Sequence, residues 1–242
     1  MKRLIGVALL LAASACNSTS TPDTAAAVQV SFATQAASAL AASRSGLMSD
    51  TLVTGSDTLV LTSVEVVLRQ IELKKAQTND CETATGSDQC EEFEIGPVLV
   101  NLPLTPGAQQ QFAIDSVPNG TYDRIEFEVH KPDDGDPQDQ AFIAANPDFA
   151  STSIRVRGTF NGRAFEFDTE LDVEQELTLA PALTVTEGST INVTIFVDVG
   201  TWFMVNGALA DPTAGNQSAI EQSIKDSFKA FEDNDHSGSR DN

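Results

Sequence analysis

Histidine is nearly missing from this 242-residue sequence, which holds two, along with one Trp, one Tyr and three Cys. Two histidines, His130 and His236, leave no material for a multi-histidine zinc or iron site. His130 alone falls inside the predicted domain, and no Gly-x-Ser-x-Gly elbow accompanies it, so no Ser/His/Asp set can be nominated. A glycosidase cleft ordinarily adds aromatic sugar platforms to its paired carboxylates, and a single Trp and a single Tyr do not furnish them. Trp202, at the end of a strand, reads as a core plug. Basic residues are scarce too: 14 Lys+Arg stand against 35 Asp+Glu, a formal net charge of −21. Phosphate backbones and anionic lipid surfaces require clustered Lys and Arg, so no nucleic-acid partner is expected. Beyond the amino terminus there is no run of 18 apolar residues to cross a membrane.

At the amino terminus, Met1-Lys2-Arg3 precedes the apolar run Leu4–Ala13 and the small residues Ser14 and Ala15. This pattern predicts a secretory signal over residues 1–15, too short for a membrane span. Ala13-Ser14-Ala15-Cys16 resembles a bacterial lipobox, with Ala13 where Leu is commonest. The resemblance implies cleavage before Cys16 and its lipidation, which would hold the protein to the membrane through several acyl chains at about 0.8 kcal/mol per buried CH₂. Asn17 after the Cys is similar to lipoproteins sorted to the outer membrane. The expected localisation is therefore the bacterial cell envelope, lipid-anchored, at the outer membrane.

Cys81 and Cys90 remain, on either side of a polar loop. An oxidising envelope compartment predicts a disulfide between them, a local staple contributing under about 3 kcal/mol. The other reading, a dithiol metal or redox pair, has spacing far from C-x-x-C.

After the lipidated Cys and a flexible tether at 16–27, a β-sandwich domain is expected over 28–205, then a linker and helix at 206–232 and an acidic tail at 233–242. The tether composition gives a span of roughly 15–20 Å. A first strand is expected at Val28–Phe32, and the Ala/Ser-rich residues 35–50 suit a short helix or a loose loop. From Leu59 the chain alternates with period two, as half-buried antiparallel strands do. Ile191, Val193, Ile195, Val197 and Val199 make one buried face, with Asn192, Thr194, Phe196 and Asp198 turned the other way. Segment 62–75 also fits a helical stripe through Val64, Val67 and Ile71, but its β-branched content favours a bulged strand.

Asn161-Gly162 between two alternating runs predicts a two-residue type I′ hairpin. That register sets Val156 opposite Phe167, Arg157 opposite Glu166 and Arg155 opposite Asp168. Arg155 and Arg157 are then expected as solvated sheet-surface residues, an anion-binding role being the sharper alternative.

Val117-Pro118-Asn119-Gly120-Thr121-Tyr122, before a strand in which Ile125, Phe127 and Val129 share a face, resembles the turn of transthyretin-like and carboxypeptidase-regulatory-like β-sandwiches. Its place after Val64–Val67 and before a long Val-rich strand is similar to bacterial lipoprotein domains of unknown function with that sandwich. The resemblance implies the fold, an all-β antiparallel transthyretin-like or Ig-like sandwich with one carboxy-terminal amphipathic helix. It implies no function, because a sandwich hosts many.

Near the carboxy terminus Ser218-Ala219-Ile220-Glu221 reads as a capping box, and Ile220, Ile224, Phe228 and Phe231 recur at helical spacing. A helix over 218–231 is expected, supported by Glu221 and Lys225 at i,i+4 and packing its stripe on the sandwich edge. Two acidic clusters offer oxygens at the close spacing a hard cation such as Ca²⁺ requires. Asp133, Asp134, Asp136 and Asp139 surround Gly135 in a loop after His130, itself expected as a surface strand residue. Asp233, Asp235 and Ser237 match positions 1, 3 and 5 of an EF-hand loop. Asp241 lies further along the same tail, and the chain stops before the bidentate acid and the exiting helix. A solvated acidic turn and a frayed tail are the plainer readings of the two clusters.

These features predict a lipid-anchored, non-enzymatic envelope protein with a binding or structural role, its acidic loops meeting calcium or a cationic partner. The competing classes are a metal-assisted hydrolase or accessory domain acting on envelope polymers, and a subunit of an envelope or secretion assembly.

Overall fold

A computed structural model describes residues 26–34, 50–76, 91–105 and 108–236. The expected signal, Cys16, the tether up to residue 25, the Cys81–Cys90 disulfide, Ser237 and Asp241 lie outside the described residues, as does nearly all of 35–50; Ala26 and Ala27, expected in the tether, instead begin the first strand.

The chain is mostly β, with two sheets packed in a sandwich-like arrangement and two short helices. One sheet contains β1 (Ala26–Thr34), β6 (Gln109–Val117), β11 (Thr190–Val197) and β14 (Phe228–Glu232), in the order β14-β11-β1-β6. The other is built on β3 (Asp57–Lys75), a 19-residue strand whose bulges lie between Leu61 and Ser63, Leu68 and Gln70, and Lys74 and Lys75. Segment 62–75 is therefore the bulged strand its β-branched content suggested. Val66 pairs with Ile154 of β8 (Ile154–Phe160) and Val100 of β5 (Val98–Asn101), while Leu68 pairs with Val129 of β7 (Gly120–Val129) and Val98 of β5. A strand has two edges, so β8 and β7 follow one another along one edge of β3. The other edge takes β2 (Asp50–Thr54), β5 and β4 (Glu91–Ile95). Beyond them, β9 (Arg163–Thr169) pairs with β8 and β10 (Val173–Val185) with β7, while β12 (Met204–Val205) and β13 (Ala208–Leu209) form a separate two-stranded ribbon.

The two sheets meet through a continuous apolar core. Phe127 of β7 stands edge-on to Phe32 of β1 at 6.5 Å and to Phe228 of β14 at 5.3 Å between ring centroids. Ile125, Phe127 and Val129 are fully buried, as their shared face required. Trp202 is fully buried as well, its Nε1 donating to Ser227 Oγ at 2.8 Å. Gly158 is fixed by contact: a Cβ there would lie 2.1 Å from the Val60 carbonyl oxygen of the neighbouring strand.

Four expectations are corrected. The helix at 218–231 is instead α2 (Gln217–Lys225) followed by β14. Ile220 and Ile224 do bury a helical stripe in the core, but Phe228 and Phe231 belong to an edge strand paired with β11. Period four and period two share the i,i+4 positions on a strand, so the sequence spacing fits both. Ser218 does not cap α2; Asn216 is the N-cap, without a side-chain hydrogen bond. The sandwich is not wholly antiparallel, because β1 and β11 run parallel from Ala27–Thr190 to Thr34–Val197. Finally, β11 is buried on both faces: Asn192 and Thr194 are covered by the chain at Asp233–Asn234.

Candidate functional site

The side of β3, β7 and β10 turned away from the core collects carboxylates in register. Ile71 and Leu73 point into the core, so Gln70, Glu72 and Lys74 lie on the opposite face, and the same alternation places Arg124, Glu126 and Glu128 of β7 there. Pairing then aligns Glu72, Glu126 and Glu176 across three strands, with Gln70, Glu128 and Glu174 in the next row. Glu94 of β4 stands opposite Glu72 in register.

Like charges directly opposite one another destabilise a sheet. At cross-strand distances near 5 Å each carboxylate pair repels by on the order of 1–3 kcal/mol, depending on local dielectric. Lys74 pairs with Glu126, and Arg124 Nη1 lies 3.1 Å from Glu176 Oε2. Among the described residues, Lys74 and Arg124 thus stand beside the carboxylates of Glu72, Glu126, Glu128, Glu174 and Glu176. Gln70, Glu72, Glu126, Phe127, Glu128 and Glu174 line a small cavity of about 70 Å³ there.

At one end of this face a histidine joins the acid. His130 follows β7, and its Nε2 lies 3.6 Å from Asp172 Oδ2, in the residues before β10. Glu128, two residues earlier on the same side of β7, brings a carboxylate oxygen close enough that the three ligand atoms lie within 4.8 Å of one another. Among the described residues this is the one group of three His, Cys, Asp or Glu so placed. The opposite ring nitrogen, His130 Nδ1, contacts the Lys131 carbonyl oxygen. A carbonyl can only accept, so Nδ1 carries a proton and Nε2 is the atom turned toward the carboxylates.

The sequence pattern marks His130 only as a surface strand residue; the structure brings Glu128 and Asp172 beside it. The alternation Glu128-x-His130 was a local signal for two same-face ligands. Asp172 had none, because only β7–β10 pairing brings it near.

The acids singled out in sequence occupy other places. Residues 133–139 are partly helical: α1 (Pro137–Ala145) begins there, and Asp136 Oδ1 caps it by accepting from the Gln138 amide at 2.9 Å. Asp139 is buried and accepts from the Asp133 amide at 2.6 Å. Arg69 reaches both, with Nη2 3.3 Å from Asp136 Oδ2 and Nε 3.5 Å from Asp139 Oδ2. Asp134 is exposed, and its carbonyl accepts from Gln140 Nε2. Asp233 is fully buried, its Oδ2 accepting from Thr194 Oγ1 at 2.8 Å and Gln109 Nε2 at 2.9 Å. Asp235 is exposed in the turn that follows.

The hairpin of β8 and β9 has the expected register throughout, with Asn161 and Gly162 both at positive φ. Arg157 pairs with Glu166 at 2.7 Å and with Glu65 at 2.8 Å. Arg155 corrects the expectation of a solvated side chain. It is buried at 9% exposure, its guanidinium 5.1 Å from the Phe149 ring centroid. Its hydrogen bond to Asp168 raises its pKa above the usual arginine value, against the opposing effect of burial. Near this hairpin a larger cleft, about 420 Å³, opens between α2 and β9 and is lined by Thr152, Asp168, Thr169, Gln217 and Glu221 among others. Glu221 spans it, accepting from both Thr169 Oγ1 and Gln217 Nε2.

No family model matches the chain, and no curated protein or solved structure matches it.

Proposed function

We propose that this chain is a lipid-anchored binding domain of a bacterial cell envelope, non-enzymatic, that meets a cationic ligand through the acidic outer face of β3, β7 and β10. The observation that carries the reading is the alignment of Glu72, Glu126 and Glu176 beside Glu128 and Glu174. A sheet keeps like charges opposite one another at a cost in stability, and a bound cation offsets that cost. Anchoring at Cys16 rests on the lipobox resemblance. The turn from Val117 to Tyr122, closed by the Tyr122 hydroxyl donating to the Pro118 carbonyl at 2.9 Å, supports reading the sandwich as similar to transthyretin-like and carboxypeptidase-regulatory-like domains.

The test uses the full chain purified in detergent and a short lysine-rich peptide. Binding is expected, falling steeply with salt, and weakened in the Glu72→Gln/Glu174→Gln double variant. Equal binding by the double variant would overturn the acidic-face reading. Anchoring is tested separately: Cys16→Ser moves the protein from the membrane fraction to the soluble one, and unchanged fractionation rules the anchor out.

A further inference from the structure

We infer that Glu128, His130 and Asp172 bind one divalent transition-metal cation of the zinc class. The inference deepens the reading of the acidic face and rests on that face attracting cations. Three observations converge on it. The ligand atoms already lie within 4.8 Å of one another, and His130 Nε2 is 3.6 Å from Asp172 Oδ2. Atoms that share a zinc at about 2.1 Å stand about 3–4 Å apart, so that pair is at coordination spacing and Glu128 needs only a small side-chain adjustment.

The imidazole is oriented as a ligand. Its Nδ1 proton goes to the Lys131 carbonyl, and this same arrangement fixes the tautomer of metal-bound histidines. Nε2, the other ring nitrogen, then faces the Asp172 carboxylate at 3.6 Å, where one cation would meet both. The surroundings favour positive charge as well. Glu174 stands opposite Glu128 in register, and the nearby ammonium of Lys131 is taken up by Glu170.

Ligand chemistry sets the class. Calcium and magnesium take all-oxygen shells, whereas one imidazole nitrogen with two carboxylates suits zinc and its neighbours. The Asp172 side chain is 69% exposed and that of His130 21%, which gives an ion a path in and leaves a coordination position for water or a partner's group.

The experiment is calorimetric titration of the EDTA-treated, dialysed full chain in detergent with Zn²⁺ and, separately, Ca²⁺. One zinc per chain is expected, bound more tightly than calcium. His130→Gln and Asp172→Asn should each weaken zinc at least about tenfold, the loss that removing even a supporting partner of a ligand brings. Asp172 lies outside any strand, so its variant keeps the test open if His130→Gln impairs folding, which melting of the metal-free chain reports. Co²⁺ should give a visible spectrum without a thiolate charge-transfer band. Unchanged zinc affinity in both variants, a thiolate band, or preference for calcium would overturn the site. Lysine-rich peptide binding that survives in His130→Gln separates a failure here from a failure of the acidic-face reading.

Discussion

Arg155 grips Asp168 across the β8–β9 hairpin with two hydrogen bonds of 2.8 Å, from Nε to Oδ1 and from Nη2 to Oδ2. The same Nη2 also donates to the Asp148 carbonyl at 3.3 Å, tying the hairpin to the 3-10 turn that carries Phe149. Fork geometry of this kind belongs to arginine and cannot be copied by a point-charge ammonium. Arg155→Lys should therefore lower unfolding free energy by about 1–2 kcal/mol, below the 3–5 kcal/mol of a fully buried broken pair because Asp168 is partly exposed. Arg157→Lys, whose side chain is 41% exposed, should stay within about 0.5 kcal/mol. Urea denaturation of the two variants checks the contrast.

Gly158→Ala should destabilise by about 3 kcal/mol, the upper end for an overpacked site. The added methyl meets a backbone oxygen, Val60 O, and cannot be accommodated by a rotamer change. Gly162→Ala has open space but a φ of +77°, so its cost should be only about 1 kcal/mol. Reversal of that order in denaturant melts would mean that β3 and β8 separate easily there.

Asp233 ties the end of β14 to β11 and β6. Asp233→Ala leaves Thr194 and Gln109 without this acceptor and should cost about 1–3 kcal/mol, with the same loss in EDTA and in calcium. A loss seen only in calcium would instead make this carboxylate a metal ligand.

Trp202 is the chain's one tryptophan, so its fluorescence reports on a single place. Ser227→Ala removes the hydroxyl that accepts from Nε1 and should shift native emission to shorter wavelength while lowering stability by about 1–2 kcal/mol. Unchanged emission would show that another acceptor replaces the hydroxyl.

Asp211 accepts hydrogen bonds from the backbone amide and the hydroxyl of Thr213, at 2.8 and 2.7 Å. The amide bond, then the hydroxyl, holds its carboxyl below the usual carboxylate range. A depressed folded value contributes stability that is present above the unfolded pKa, about 3.9, and is lost as pH falls through the lower folded value. Carboxyl-carbon NMR should show Asp211 titrating below an unperturbed aspartate, and in Thr213→Val, which removes the hydroxyl, its midpoint should move up.

Local chemistry determined much of this protein. Period-two alternation gave the strands, and Asn161-Gly162 set a hairpin register correct at each predicted pair, because a two-residue turn leaves the chain no other pairing. Net charge, the scarcity of histidine and the burial of Trp202 were likewise legible, since each depends on residue type and near neighbours. Tertiary structure decided the rest. Phe228 became a strand residue because β11 offers an unpaired edge, a fact absent from its own segment. The parallel alignment of β1 with β11, the burial of Asn192 and Thr194, and the capture of Asp136 and Asp139 by Arg69 all arise from contacts between distant segments. The approach of Asp172 to His130 has the same origin: alternation shows which face a residue occupies, and only strand pairing fixes which residue lies beside it.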